Sequence, residues 1–314
     1  MSKQSHQYFQ EFQQLGDYVT NEIIEQAEMA INSQDYELAN TLLTEMNEGS
    51  RLFVKSLISI AQSDIESSLQ SLESCISVVR SPKTRNPILE ARAKMMRGLA
   101  RSSIGEITEG GADLRWSMDR LGAIAEGSDE HGIAILNVAA WHRQQSEIVM
   151  SLATHSEIAR TSSHSPEIVA ISRQRVASIH AELEDFEGSL RHYWSSWKIS
   201  ISTGLDAIAE VSCLHVIDLG LSDVQSSTVR LDKQVEDAVP KPRSNKSDAS
   251  IHPDDLLLAL KWLTPRSIVD ISGENRPDLS LIIESYNILN LPYPEVLIKN
   301  IGLIQDNEVA NLLQ

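Results

Sequence analysis

Cysteine is almost missing from this chain. Only Cys75 and Cys213 occur in 314 residues, with no Cys-x-x-Cys pair, which excludes a disulfide framework and a thiolate zinc site. Long apolar runs are missing as well, since no stretch approaches the roughly 18–20 residues of a membrane-spanning helix. The first residues, Met1-Ser2-Lys3-Gln4-Ser5-His6, lead into Tyr8, Phe9 and Phe12 without the continuous apolar segment of a secretory signal. No membrane partner is expected, and the expected location is cytoplasmic. Positive charge is short: 27 Lys and Arg stand against 44 Asp and Glu, a formal net charge of -17. Nucleic-acid binders concentrate Lys and Arg, so nucleic acid is not an expected partner. The acidic balance serves solubility or attracts a basic partner. Catalytic signatures are lacking too. There is no Gly-x-Ser-x-Gly, no Walker A loop and no His-Glu-x-x-His, and Gly110-Gly111 follows no strand that would make it a phosphate cradle. No catalytic residue, metal or cofactor is expected.

What is present favours helix. Aromatics make up 5% of the chain, while Leu, Ile, Ala, Ser and Glu dominate. The clearest local unit is Asp35-Tyr36-Glu37-Leu38-Ala39. Ile23, Ala27, Ala30 and Ile31 recur at helical spacing before it, and Leu38, Leu42 and Leu43 after it. Asn32 to Asp35 are poor helix-interior residues that bond readily to nearby backbone, so they predict the turn of an αα-hairpin. Four further hairpins follow. The second begins near Ser50 and turns at Gln62-Ser63-Asp64-Ile65; the third runs from Ile88 to Ile124 and turns at Ile104-Gly105-Glu106-Ile107. The fourth, about 131–160, turns near Gln145-Ser146-Glu147-Ile148, and the fifth, about 167–202, turns at Glu184-Asp185-Phe186-Glu187. Ser81-Pro82, Asn86-Pro87, Gly127-Ser128-Asp129 and Ser162 to Pro166 mark the breaks between them. A first amphipathic helix is expected at 7–19.

Aligning the turns on Tyr36, Ile65, Ile107, Ile148 and Phe186 reveals a repeat. Three residues after these anchors stand Ala39, Ser68, Gly110, Ser151 and Ser189; nine residues before them stand Ala27, Ser56, Gly98, Ala139 and Ala177. All ten are small, which predicts close approach where the two helices of each hairpin cross. In these features residues 20–200 resemble the tetratricopeptide repeat (TPR) family, whose motif places a small residue midway along the first helix, a Gly-Asp-Tyr-like turn, and a small residue early in the second. Asp35-Tyr36 with Ala27 and Ala39 matches best, then Asp185-Phe186 with Ala177 and Ser189. The family's first-helix Trp and closing Pro are mostly missing, and the anchors lie 29, 42, 41 and 38 residues apart, where the family keeps about 34. The resemblance implies an all-α, right-handed superhelix of antiparallel hairpins whose first helices line a groove. By offset from the anchors, it implies Asn32, Arg92, Arg143, Gln144, Gln174 and Glu182 as partner-binding residues there. The family's carboxylate clamp of several Lys, Arg and Asn residues is not matched.

After Gly204 one more apolar helix, Leu205 to Ile217, stops at Gly220, and a partner helix is expected around 222–236. Val239 to Asp248 is polar and proline-containing, the best linker in the chain. From His252-Pro253 onward three Leu- and Ile-rich helical stretches form a small module. The expected organisation is therefore a repeat domain at 1–235, a linker at 236–252 and a C-terminal helical module at 253–314. Asp254-Asp255 could pair on a metal, but acids there also suit a helix start. His142 and His180 occupy corresponding hairpin positions without a second ligand four residues on, which favours packing. Lys241, Arg243 and Lys246 could touch an acidic partner or only solvate a linker. Trp194 and Trp197, with Ile201, share one helix face, as an exposed peptide anchor or as the seam to the next hairpin. The functional expectation is a non-catalytic scaffold that binds a protein or peptide partner. Its alternatives are a helical enzyme or ligand sensor with a pocket beside the C-terminal module, and an assembly protein that self-associates through the Trp194/Trp197 face.

Overall fold

A computed structural model describes residues 22–160, 163–221, 230–233, 251–268 and 277–301, and among them every regular element is helical. The expected helix at 7–19, the segment 239–248 with Lys241, Arg243 and Lys246, most of the expected helix at 222–236 and the tail after residue 301 lie outside the described residues. The helices are α1 (Glu22–Asn32), α2 (Tyr36–Leu42), α3 (Glu48–Ala61), α4 (Ile65–Arg80), α5 (Pro87–Ser103), α6 (Ile107–Ile124), α7 (Asp129–Gln144), α8 (Ile148–Arg160), α9 (Pro166–Glu182), α10 (Phe186–Thr203), α11 (Asp206–Gly220), α12 (Pro253–Ile268), α13 (Pro277–Ile288) and α14 (Glu295–Ile301). The first ten pair as the five expected hairpins.

One backbone device closes all five turns. Two residues before each anchor the chain enters the left-handed region: Gln34 at φ 62°, Ser63 at 64°, Gly105 at 95°, Ser146 at 61° and Glu184 at 59°. The next residue, always acidic, then donates its N–H back across the turn. Asp35 reaches Ala30 O at 2.8 Å, Asp64 Ser59 O at 2.8 Å, Glu106 Arg101 O at 3.0 Å, Glu147 His142 O at 2.9 Å and Asp185 His180 O at 2.9 Å. This six-to-one bond satisfies a carbonyl orphaned by the end of the first helix. In the three turns with Asp, the same residue caps the second helix, accepting from the N–H of Leu38, Ser67 and Gly188 at 3.0, 3.1 and 3.0 Å. The longer Glu106 makes no such bond.

The ten small residues at the hairpin crossings are all buried. Gly98 of α5 and Gly110 of α6 show why. A Cβ on either would stand 2.8 Å from the carbonyl oxygen of the other. Ser151 uses the same closeness differently, donating its hydroxyl to Ala139 O at 2.8 Å.

By packing, the chain divides into two compact units, Met1–Ser165 and Pro166–Gln314. In the first unit one core joins α1 to α5 around Phe53, Leu72 and Leu89, and a second joins α5 to α7 around Leu114, Leu121 and Trp141. Leu38, expected on an apolar stripe, is exposed, because α2 is only seven residues long and turns into a 3-10 segment at Leu43–Glu45. Between α5 and α6, Arg97 grips the buried Asp113 through Nε and Nη2, both at 2.7 Å, and Arg101 joins it at 2.9 Å. In the second unit a single core runs from Leu190 and Trp197 through Cys213 and Val216 to Leu256, Leu260 and Ile282. The C-terminal helices therefore share the core of α10 and α11. Pro265, expected to close or restart α12, lies inside it. The Thr264 hydroxyl donates to Leu260 O at 2.6 Å and Arg266 to Trp262 O at 3.0 Å, so side chains back the carbonyls on both sides of the interruption.

Candidate functional site

The residues proposed to face a partner lie on the first helices or their C-terminal ends, and two of them tie helices together. Arg92 of α5 reaches Glu28 of α1 with Nη2 to Oε1 at 2.5 Å, and its guanidinium lies 5.0 Å from the centroid of Phe53 on α3. One side chain thus spans the first helices of three successive hairpins. In the second unit Gln174 of α9 donates through Nε2 to Ser212 Oγ of α11 at 3.2 Å. Ser212 donates to Ser196 Oγ at 3.0 Å, and Ser196 to Ala170 O at 2.8 Å. Arg92 and Gln174 are part of the frame. Asn32, Gln144 and Glu182 are exposed, and Arg143 is half-buried.

Trp194 and Trp197 are 5% and 0% exposed. Their rings pack edge to face at 4.9 Å, and Trp262 of α12 meets Trp197 at 6.0 Å. They form the seam to the next helices, because α11 and α12 occupy the face that a peptide or a second copy would need. The same core fills the region beside the C-terminal helices.

His142 and His180 do have acids nearby, five residues on rather than four. His142 Nδ1 donates to Glu147 Oε2 at 2.6 Å and His180 Nδ1 to Asp185 Oδ2 at 2.8 Å, each pair bridging its own turn. The missed signal is that an i, i+5 pair meets when a left-handed residue lies between. Asp254 and Asp255 hold Arg230 instead of a metal, at 2.9 and 2.7 Å, and the buried Asp255 also accepts the Leu231 N–H at 2.7 Å. These three charges and one backbone N–H lock the start of α12. Among the described residues no group of three His, Cys, Asp or Glu is placed to hold a metal ion.

Helix ends that the repeat pattern ignored build a cleft in the first unit. The end of α6, the start of α7 and the later part of α8 enclose about 500 Å³, with Asp119, Glu126 and Glu157 at the rim and Met118 and Ile135 among the walls. His131, in the first turn of α7, lines the same space and is buried. Its Nδ1 accepts the Gly127 N–H at 3.3 Å, which places the neutral ring's proton on Nε2. His164 packs against it with ring centroids 5.4 Å apart. Burial holds both imidazoles below their ordinary pKa, and for His131 the neighbouring His164 adds to this. Asp119 lies on α6 and Glu126 in the turn after it, and nothing in the sequence joined either to His131.

No described helix is long and apolar enough to cross a membrane. Compared with known proteins, the chain matches no family model and no curated protein.

Proposed function

We propose that this chain is a non-catalytic interaction scaffold, a divergent TPR-like array of antiparallel hairpins with the right-handed superhelical winding of that family. A cytoplasmic protein or peptide partner is received on the face made by the first helices. The observation that carries this reading is the Arg92 bridge: Glu28, Phe53 and Arg92 come from the first helices of three consecutive hairpins and lie within one side chain's reach. Within the first unit, first helices set side by side are what stacked hairpins require, and they make a face available for binding there. Five turns of one geometry support the same reading. The formal charge of -17 suits a basic partner.

The test is affinity capture on the full-length protein and on an Asn32→Arg/Gln144→Arg variant. Both side chains are exposed, so the variant should keep its helix content. A specific partner held by the native chain and lost by the folded variant is the expected result. Retention of that partner by the variant overturns the assignment of the face, and turnover of a substrate by the purified protein overturns the non-catalytic reading.

A further inference from the structure

We propose that the outer side of α1 is a docking surface for the chain's own segment 7–19, laid as a helix against Met29 so that it covers this end of the hairpin array. The repeat itself marks the surface. Seven residues before the five anchors stand Met29, Ile58, Ala100, Trp141 and Ile179; the last four are buried, whereas Met29 is 60% exposed. Trp141 shows what the position does. It seats on Gly111, in the second helix of the preceding hairpin, so closely that a Cβ on Gly111 would stand 2.3 Å from Cζ2. Met29 is the same position with its seat open among the described residues. Ile24, Ala27, Ala30 and Ile31, the residues that α1 gives to the core, point the other way.

Glu25, one turn before Met29 on the same side of α1, is a second sign. Its Oε1 is shut off from solvent without a hydrogen-bond partner, a costly state that an incoming donor would end. The occupant is named by the sequence that leads into α1. Tyr8, Phe9, Phe12, Leu15 and Val19 recur at helical spacing, an apolar stripe that needs an apolar surface. Thr20-Asn21, residues that favour turns and helix starts, then set 7–19 antiparallel to α1. A helix over 7–19 is about 20 Å long, enough to cover the roughly 16 Å of α1. Counting outward from the turn brings Phe12 opposite Met29 and the small Gly16 opposite Glu25, with the Gln13 amide at the flank of the stripe as a donor. A terminal element that covers the last apolar side is what a stacked array requires. The closure is independent of what the first-helix face binds.

The experiment labels the methionine methyl groups of the full-length protein and measures their relaxation by a soluble gadolinium chelate. Met95, buried, and Met150, 51% exposed, supply the internal references. The expected result is a Met29 methyl relaxed within twofold of Met95 in the native chain, unchanged on tenfold dilution. Phe9→Glu/Phe12→Glu, which puts charge on the stripe, should raise relaxation at Met29 severalfold towards the Met150 value and leave Met95 as it was. Gln10→Glu/Gln14→Glu adds the same charge on the opposite side of the segment and should change Met29 less than twofold. A native Met29 relaxed like Met150, or an equal response to the glutamine pair, overturns the proposal. Shielding that is lost on dilution also overturns it, because the seat would then belong to a second copy.

Discussion

At the scale of single residues, the turns carry a cost that only one of them avoids. Gly105 adopts the left-handed conformation freely, while Gln34, Ser63, Ser146 and Glu184 adopt it against the clash of Cβ with the backbone. Gly105 is the one position where the sequence advertises the turn geometry, so the common device stayed hidden although each turn's location was legible. A direct consequence is that Ser63→Gly and Ser146→Gly should each raise stability by about 0.5–1 kcal/mol, the relief of strain exceeding the added freedom of the unfolded chain. Gly105→Ala should lower it by about 1–2 kcal/mol. Urea unfolding followed by circular dichroism measures all three. Loss of stability in both serine variants would show that these side chains make contributions beyond the backbone geometry.

At the scale of elements, spacing of small residues told where helices cross, because steric contact at a crossing leaves a periodic mark on composition. Contacts between residues far apart in sequence leave no such mark. Arg97 and Asp113 are 16 residues apart and Arg92 and Glu28 are 64, and no period relates them. Trp194 and Trp197 could be placed on one helix face, but which face is covered depends on α11 and α12. Gly110-Gly111 shows both levels in one dipeptide. Gly110 meets Gly98 inside its own hairpin, as the repeat predicts, while Gly111 meets the next hairpin. A Cβ on Gly111 would lie 2.3 Å from Trp141 Cζ2, and one on Gly98 2.8 Å from Gly110 O. Both glycines lie in helix interiors, where alanine alone would be favourable by up to about 1 kcal/mol. Overpacking opposes this with about 1–3 kcal/mol, so Gly98→Ala and Gly111→Ala should each lower stability. Gly98→Ala must separate two backbones and should cost more, since Trp141 has side-chain torsions with which to yield. Chemical denaturation of the two variants checks the sign and the order.

At the scale of the whole molecule, the response to pH should come from different groups in different windows. Asp64 is held below the ordinary carboxylate range by its hydrogen bond to Ser67, so what it contributes is present above about pH 4 and fades as pH falls through its folded value. The buried pair His131 and His164 act at higher pH. In the unfolded chain both imidazoles titrate near pH 6.5. In the folded chain burial lowers both; Glu126 and Glu157 near His131, and the Ser128 backbone, Asp129 and Glu126 at His164, pull the other way by lesser amounts. The unfolded chain therefore takes up protons that the native one refuses. The stability they lend is complete above pH 6.5 and declines as pH falls below it. The expected outcome is a thermal midpoint that drops between pH 7.5 and pH 5.5, before the carboxylate window opens. His164→Gln should flatten that drop, since it removes one depressed imidazole and relieves the other of its neighbour. An unchanged slope in a folded His164→Gln protein would assign the loss of stability to groups outside the pair.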